Sequence, residues 1–331
     1  MRSCCFLAFG DLHHYPGHFY DDKPARWEKI LARSMEENAE FIVGLGDYVH
    51  EPEINQALAE RMMTSPKDLY CCLGNHDTEH SPLEMVLALY RMPHNYYFFD
   101  RSGYRFILLD ANYSLIDGEY VHYNPNVPRI KPGVIPPDQM AWLAQTIDES
   151  DDPCILLCHH SIERPDGILN RHDLWQIIGR ANEKRPHAVM LYINGHHHRD
   201  HCTVMNGVCC LDLNSAAYQY VNPPFPRYSD EVLALGCGLA FTLNFSEPLS
   251  ALITLEGASK IHIRGLTGAF MFGLTAEDVE EMDKGRLSYA RRSVPFIRDY
   301  EVDLDAESVI RSRERSGGLY KIGLVCYTVS T

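Results

Sequence analysis

Short apolar runs alternate along the first half of the chain with stretches whose apolar residues recur at helical spacing. The apolar runs lie at 3–10, 40–45, 68–73, 153–158 and 188–193. The helical stretches lie at 26–38, 53–63, 82–91, 137–148 and 172–183. Strands that alternate with helices are typical of a largely parallel sheet with crossover helices, so this part of the chain is predicted to be α/β.

Antiparallel strands are predicted elsewhere in the chain. Residues 95–99 and 104–110 form one predicted pair. Residues 202–213 predict a tight β-hairpin, because Asn206-Gly207 at its centre suits a type I′ turn. Further strands are predicted at 238–245, 249–255 and 260–265. The pattern as a whole therefore combines α/β with α+β character.

Two long loops rich in proline, at 112–137 and 221–230, interrupt this pattern. Loops of this length in a compact domain are often functional, so we expect them to influence substrate choice. Residues 268–331 hold an acidic helical stretch at 275–284 and a strand-like run at 319–329, but they contain no motif.

Five short polar motifs stand where predicted strands end. They are Asp11-Leu12-His13, Gly46-Asp47, Gly74-Asn75-His76-Asp77, His159-His160 and Gly195-His196-His197-His198. Taken singly, each motif has a structural explanation, since Gly-Asp is a common turn and paired histidines can be satisfied in a core. Ligands in open α/β sheets gather at the carboxyl ends of the strands, so the five motifs together are expected to converge in space.

The side chains in these motifs are of the types that bind transition metals, because imidazole nitrogen and carboxylate or amide oxygen suit Mn, Fe, Zn or Co. A tetrahedral zinc ion takes four ligands. The motifs offer seven, namely Asp11, His13, Asp47, Asn75, His159, His196 and His198. Seven ligands serve two ions if one carboxylate bridges them, and ions about 4 Å apart can clamp a phosphoryl group and activate a water.

In this order the motifs D-x-H, G-D, G-N-H-D, H and G-H-x-H resemble those of the calcineurin-like metallophosphoesterase family, and in particular its small bacterial phosphodiesterase branch. The resemblance implies a metallo-dependent phosphatase-like fold, a four-layer α/β/β/α sandwich of two mixed β-sheets with a dinuclear site at one end. The catalytic domain is expected at 1–267, followed at 268–331 by a C-terminal extension of unknown role.

The resemblance also implies a role for each residue. The first metal would be bound by Asp11, His13 and His198, and the second by Asn75, His159 and His196, with Asp47 bridging the two. His76 would act at the scissile ester as a proton donor or charge stabiliser, with Asp77 orienting it. Where His160 competes with His159, the family pattern favours the first of the pair. His14, directly after the first motif, is expected to be a surface histidine.

The implied activity is phosphoester hydrolysis, in which a metal-bound hydroxide attacks phosphorus. The combination of motifs favours a phosphodiesterase that acts on a small phosphorylated substrate such as a nucleotide or cyclic nucleotide. A phosphomonoesterase or a nucleotide pyrophosphatase stays open as an alternative, and so, outside the enzymes, does a metal-binding scaffold. The expected cofactors are two divalent or mixed-valence transition metal ions, with Mn, Fe and Zn as the candidates.

Composition narrows the partners and the compartment. The net charge of −15 disfavours binding to nucleic acid, although bound cations would still attract a small phosphorylated substrate. No run approaches about 18 apolar residues, so no membrane span is expected. Eleven cysteines without a C-x-x-C pair, together with an expected lack of a signal peptide, predict a cytoplasmic protein with reduced thiols. A homo-oligomer stays open.

Overall fold

The computed structural model describes residues 2–127, 132–221, 228–282, 293–306 and 309–313. In chain order its strands are β1 (Ser3–Phe9), β2 (Ile42–Gly44), β3 (Leu69–Cys71), β4 (Tyr97–Arg101), β5 (Tyr104–Leu109), β6 (Tyr113–Ile116), β7 (Glu119–His122), β8 (Cys154–Cys158), β9 (Val189–Asn194), β10 (His201–Met205), β11 (Val208–Asp212), β12 (Tyr218–Tyr220), β13 (Thr242–Asn244), β14 (Ala251–Glu256), β15 (Lys260–Arg264), β16 (Asp299–Asp303) and β17 (Val309–Arg313). Its α-helices are α1 (Lys23–Glu36), α2 (Pro52–Met63), α3 (Asn75–Thr78), α4 (Leu83–Leu89), α5 (Pro137–Asp148), α6 (Arg171–Lys184), α7 (Asp230–Leu233) and α8 (Ala276–Met282), with a 3-10 helix at Cys237–Phe241.

Two large sheets contain most of these strands. The first has the order β17-β16-β15-β14-β1-β2-β3, and the second has the order β10-β11-β9-β8-β5-β4. In the first sheet β1, β2 and β3 run parallel, and the remaining neighbours are antiparallel. In the second sheet β5, β8, β9 and β11 run parallel, while β4 and β10 are antiparallel at the edges. Both sheets are therefore mixed, as predicted.

Alternation along the buried strands sends neighbouring side chains to different cores. In β8, Leu157 joins the core between the sheets, whereas Leu156 joins the core formed with α5 and α6. In β1, Phe6 faces the core between the sheets, whereas Leu7 packs with residues of α1, α2 and α4. The layers are therefore helix, sheet, sheet and helix, and strands buried on both faces explain why the sequence shows continuous apolar runs.

The hairpin predicted at 202–213 is present as β10 and β11, and its turn residues have positive φ angles, 51° at Asn206 and 74° at Gly207. The strand predicted at 238–245 is only partly correct, because the 3-10 helix occupies its first half and β13 begins at Thr242. The run predicted at 319–329 lies outside the described residues, as does most of the 221–230 loop.

The 112–137 loop contains a hairpin that was not predicted. Strands β6 and β7 pair across a turn at Asp117 and Gly118, both of which have positive φ. A buried ion pair connects this hairpin to the second sheet, since Nε2 of His122 in β7 lies 2.8 Å from Oδ2 of Asp110, the residue after β5. Nδ1 of His122 lies 2.8 Å from the carbonyl oxygen of Tyr123, so both ring nitrogens meet acceptors.

The described part of the C-terminal extension packs against the rest of the chain. Strand β16 pairs antiparallel with β15, and Tyr300 and Val302 lie in the core between the sheets. The fully buried carboxylate of Asp200 forms an ion pair with Arg298 and accepts a hydrogen bond of 2.9 Å from the hydroxyl of Tyr300. Residue 267 therefore lies in the connection between β15 and β16, two paired strands of one sheet, and the segment after motif five is anchored to the extension.

The cysteines in the described ranges are free thiols. Among the same residues, no helix combines the length and apolar character that crossing a membrane requires.

Candidate metal centre

The five motifs lie in loops that leave the carboxyl ends of β1, β2, β3, β8 and β9. These strands belong to the parallel parts of the two sheets, and their loops meet at one end of the sandwich. The backbone connects the loops directly, since the amide of Asp11 donates to the carbonyl oxygen of Gly46 and the amide of His13 donates to that of Asp47, each at 2.9 Å. The convergence expected from the strand ends is therefore observed.

The first cluster of candidate ligands consists of Asp11, His13 and His198, whose ligand atoms lie within 4.8 Å of one another. Nε2 of His13 is 3.0 Å from Nε2 of His198. Nε2 of His198 is in turn 3.2 Å from Oδ1 of Asp11. All three residues are buried, so their nitrogen and oxygen atoms face one small space away from bulk water.

The second cluster consists of Asp47, His159 and His196. Nε2 of His159 lies 3.2 Å from Oδ2 of Asp47 and 3.1 Å from Nδ1 of His196. The same Oδ2 of Asp47 lies 3.8 Å from Nε2 of His13, a member of the first cluster. Oδ2 of Asp47 thus lies near members of both clusters.

The hydrogen bonds behind the clusters test whether these residues fit a cation. Nδ1 of His198 lies 2.6 Å from the carbonyl oxygen of Tyr218, and Nδ1 of His159 lies 2.7 Å from that of Leu45. A carbonyl can only accept, so each Nδ1 carries the hydrogen and each Nε2 presents a lone pair. These lone pairs face carboxylate oxygens, an arrangement that is repulsive without a positive charge between them. The residues therefore fit metal ions.

The pKa shifts of Asp47 and His159 also indicate a site that fits a cation. Burial alone would lower the pKa of His159, but the Asp47 carboxylate outweighs it and raises that pKa to about 9. Burial alone would raise the pKa of Asp47, but His159 and His76 hold it well below its usual range. The site thus favours a positive charge beside Asp47, and a bound divalent cation would supply one.

The backbone of the predicted ligands is unusual. Positive φ angles occur at Asp11 (56°), His13 (52°), Asp47 (55°), His196 (67°) and His198 (48°). Left-handed conformations of non-glycine residues cost of order 1–3 kcal/mol each and cluster at active sites and ligand clamps. The loops therefore accept strain in order to direct these side chains into the site.

Two of the motif glycines permit close approach of the backbone to candidate ligands. A Cβ atom on Gly74 would lie 2.1 Å from Oδ1 of Asp47, and a Cβ atom on Gly195 would lie 2.5 Å from Oδ2 of Asp11. Both distances are far shorter than a van der Waals contact. Gly74 and Gly195 are therefore required by the space around the two carboxylates.

The third motif forms the start of α3, with Asn75 buried as its first residue. The backbone N–H of His76 donates to Oδ1 of Asp47 at 2.8 Å, which holds α3 against the second cluster. The carboxylate beside Nδ1 of His76 belongs to Glu79. Glu79, one helical turn further along the chain, was not among the residues that the sequence indicated.

Asp77 has a different set of partners from the one expected. Its Oδ2 accepts hydrogen bonds from the backbone N–H groups of Asp47 at 2.7 Å and Gly74 at 2.9 Å. Its Oδ1 accepts from the backbone N–H groups of Tyr48 at 3.0 Å and Val49 at 3.3 Å. The expectation that Asp77 orients the His76 ring is thus corrected, because its carboxylate is engaged by the backbone of the second and third motifs. Burial and the Asp47 charge raise the pKa of Asp77 to about 7.

Two other histidines differ from or extend the sequence-based expectation. His14, expected at the surface, is 8% exposed because its backbone bridges to Val49 inside the site loops. His50 was not singled out at all, yet its Nε2 lies 2.8 Å from Nδ1 of His13. Its position three residues after Asp47 was the available signal. Of the adjacent pair, the structure places His159 beside Asp47, whereas the His160 ring packs against His196 with centroids 4.6 Å apart.

A family model described as calcineurin-like phosphoesterase matches residues 6–200, more than half of the chain. The chain belongs to the calcineurin-like phosphoesterase family. The matched residues include all five motifs.

Among relatives of this phosphoesterase, a probable cyclic nucleotide phosphodiesterase of Psychrobacter sp. (strain PRwf-1) is 24% identical over 223 residues, which are 59% of this chain and 58% of that protein. The match thus spans little more than half the length of this relative. A dimetal phosphatase from Danio rerio has the same fold, with a TM-score of 0.52, 14% identity and coverage of 82% of this chain and 99% of that one. The structure of PhoD has a TM-score of 0.51 and 9% identity, over 96% of this chain and 72% of that one.

Proposed function

We propose that this phosphoesterase is a phosphodiesterase that hydrolyses a small diester, with nucleotides and cyclic nucleotides as the substrate class, at a centre of two metal ions. The observation that carries the proposal is the pair of acceptor clusters joined at Asp47, which lies 3.2 Å from His159 in one cluster and 3.8 Å from His13 in the other. The name of the Psychrobacter relative supports the choice of a diester.

The residues that would hold the first ion are Asp11, His13 and His198, and those that would hold the second are Asn75, His159 and His196, with Asp47 shared. Two cations in these positions would neutralise charge on the phosphoryl oxygens and lower the pKa of the attacking water. The carbonyl oxygens of Tyr218 and Leu45 keep the ring nitrogens of His198 and His159 in the tautomer that this task needs.

His76 would act on the leaving group. Its backbone is fixed to Asp47, its side chain is about one-fifth exposed, and the Glu79 carboxylate stands at Nδ1. An imidazole held in this way at the edge of the site would donate a proton to the departing alkoxide.

The test compares hydrolysis of bis-p-nitrophenyl phosphate and p-nitrophenyl phosphate by metal-stripped protein reloaded with Mn²⁺. Asp47→Asn removes the shared ligand. Asp100→Asn is the matched control, because Asp100 is half exposed and pairs with Arg105 on the outside of the second sheet. We expect strong, metal-dependent cleavage of the diester that is lost in Asp47→Asn and retained in Asp100→Asn.

Other outcomes replace the proposal by a defined alternative. A preference for the monoester would make the protein a phosphatase. Binding of metal without cleavage of either ester would favour the scaffold. The role of His76 is tested separately, since His76→Ala should slow substrates with poor leaving groups far more than activated aryl esters, and equal losses would contradict proton donation.

A further inference from the structure

His50 is held rigidly inside the site although it belongs to none of the five motifs. It is 5% exposed. Its backbone N–H donates to the carbonyl oxygen of His14 at 3.0 Å, and its own carbonyl oxygen accepts from Nδ2 of Asn55 at 2.9 Å. The backbone of His50 is therefore fixed both from the residue that follows the first motif and from the start of α2.

One edge of the His50 ring meets a candidate metal ligand. Its Nε2 is 2.8 Å from Nδ1 of His13, and both atoms are buried. The Nε2 atom of His13 faces Asp11, Asp47 and His198, so metal binding through Nε2 leaves the hydrogen on Nδ1. Nδ1 of His13 then donates, and Nε2 of His50 accepts.

This arrangement differs from that of two other ligand histidines, His159 and His198. His159 and His198 direct Nδ1 to backbone carbonyl oxygens, which mutation of a side chain cannot remove. His13 instead depends on a side chain for the same hydrogen bond. Partners of this kind fix the tautomer and orientation of a metal-bound imidazole, and their loss typically weakens metal binding about 10- to 100-fold.

The face of the same ring meets the candidate proton donor. The rings of His50 and His76 stack with centroids 4.2 Å apart and planes 28° apart. Tyr15 stacks on His50 as well, at 5.1 Å and 8°, and the Tyr15 hydroxyl donates to Oε1 of Glu51 at 2.7 Å. The orientation of the His50 ring is thus set by stacking with Tyr15, and the His76 ring stacks on the ring held in this way.

We propose that His50 is a positioning residue with two separable tasks: its Nε2 fixes His13 as a ligand of the first metal ion, and its ring face fixes His76 for proton donation. The proposal rests on the proposed function, because both tasks concern residues of that site. Its two tasks use different parts of the side chain, and substitutions can remove them one at a time.

Two variants separate the tasks. His50→Gln keeps an acceptor that reaches His13 but removes the ring, and His50→Phe keeps a ring that stacks on His76 but removes the acceptor. His262→Gln is the matched control, because His262 is a half-exposed residue of β15, on the first sheet and outside the motif loops. Thermal unfolding of each variant confirms that it is folded before the comparison.

The first readout is calorimetric titration of the metal-stripped protein with Mn²⁺. We expect His50→Phe to bind one of its two Mn²⁺ ions about 10- to 100-fold less tightly than the unmodified protein does. The affinity of His50→Gln for Mn²⁺ should stay within about threefold of that of the unmodified protein. The second readout is kcat at saturating Mn²⁺ on diesters of good and poor leaving groups. His50→Gln should lower kcat for the diester with the poor leaving group more than for the one with the good leaving group. His50→Phe should leave the ratio of these two kcat values unchanged.

The crossed pattern is what the proposal requires. Equal losses in both variants on both readouts, or metal binding that His50→Phe leaves unchanged, would overturn it. Failure of the proposed function looks different, since the unmodified protein would then bind Mn²⁺ without cleaving either ester, and the titration would still decide whether His50 supports His13.

Discussion

Asp77 offers the sharpest test of how the site is built, because its structural role and a catalytic role predict different results. The substitution Asp77→Asn changes one oxygen of the carboxylate to an NH₂ group and leaves the size of the side chain almost unchanged. In the structure that carboxylate accepts four backbone hydrogen bonds from the loops after β2 and β3, and a fifth from the hydroxyl of Tyr90 at 3.2 Å.

The expected loss follows from those contacts. An asparagine can place its oxygen toward one pair of backbone donors only, and its NH₂ group then faces the other pair. Hydrogen bonds to a charged group contribute about 1.5–3 kcal/mol each, so losing two of them costs roughly 3–6 kcal/mol. For a chain of this size that corresponds to a fall in Tm of roughly 4–9 °C.

The assay is thermal unfolding of Asp77→Asn beside Asp100→Asn, followed by turnover at a temperature where both are folded. The Asp100 carboxylate is half exposed, so its ion pair with Arg105 should contribute about 1 kcal/mol, and the control should move Tm by roughly 2 °C at most. Asp77→Asn should also slow good and poor leaving groups alike, because the loops that carry Asp47 and Asn75 are loosened together. An Asp77→Asn protein with the Tm of the control and a selective defect on poor leaving groups would refute this reasoning and restore Asp77 as the partner of His76.

Two further predictions concern a glycine of the site and the ion pair beneath the β6–β7 hairpin. Gly195→Ala should weaken binding of the first metal ion, because its Cβ would lie 2.5 Å from Oδ2 of Asp11. The control is Gly179→Ala in α6, where a Cβ meets nothing within 4 Å, and it should leave the affinity for Mn²⁺ in a titration unchanged. Equal affinities of the two variants for Mn²⁺ would show that Asp11 moves freely. Burial alone would lower the pKa of His122, but Asp110 outweighs it and raises that pKa above 6.5, so the pair stabilises the fold fully below pH 6.5 and loses this contribution as pH rises through the raised pKa. Denaturation between pH 6 and pH 9 should therefore show a stability loss in the unmodified protein that is smaller in His122→Gln, and parallel curves would contradict it.

The sequence predicts the fold well where one local signal determines one element. Continuous apolar runs such as Cys154–Cys158 mark strands buried on both faces, and Asn206-Gly207 marks a turn through its positive φ angles. The strand predicted at 238–245 fails for a tertiary reason, since Gly236 and Gly238 pack against His18 and Phe19 and the chain bends there into a 3-10 helix. The β6–β7 hairpin has a local signal in Asp117-Gly118, but the prolines of the surrounding sequence predict a loop.

The candidate site divides in the same way. Metal-ligand types at strand ends are visible in the sequence, because strand order brings such ends together. The hydrogen-bond partners of those ligands are not visible, because they depend on which loops touch. His50 reaches His13 only because His14 and Val49 form a bridge between two loops, and the carbonyl oxygen of Tyr218 reaches His198 across 20 positions of chain.

The anchor between Asp200 and Arg298 has a consequence for protein engineering. A fragment that stops at residue 267 would leave the outer edge of β15 without its partner strand β16. It would also leave the buried carboxylate of Asp200, two residues from His198, without the guanidinium group of Arg298. Removal of one partner of a buried ion pair is strongly destabilising. The ligand loop of motif five and the strand around Arg298, 98 positions away, are therefore a single transplantable unit, and any chimera with a relative has to exchange both or neither.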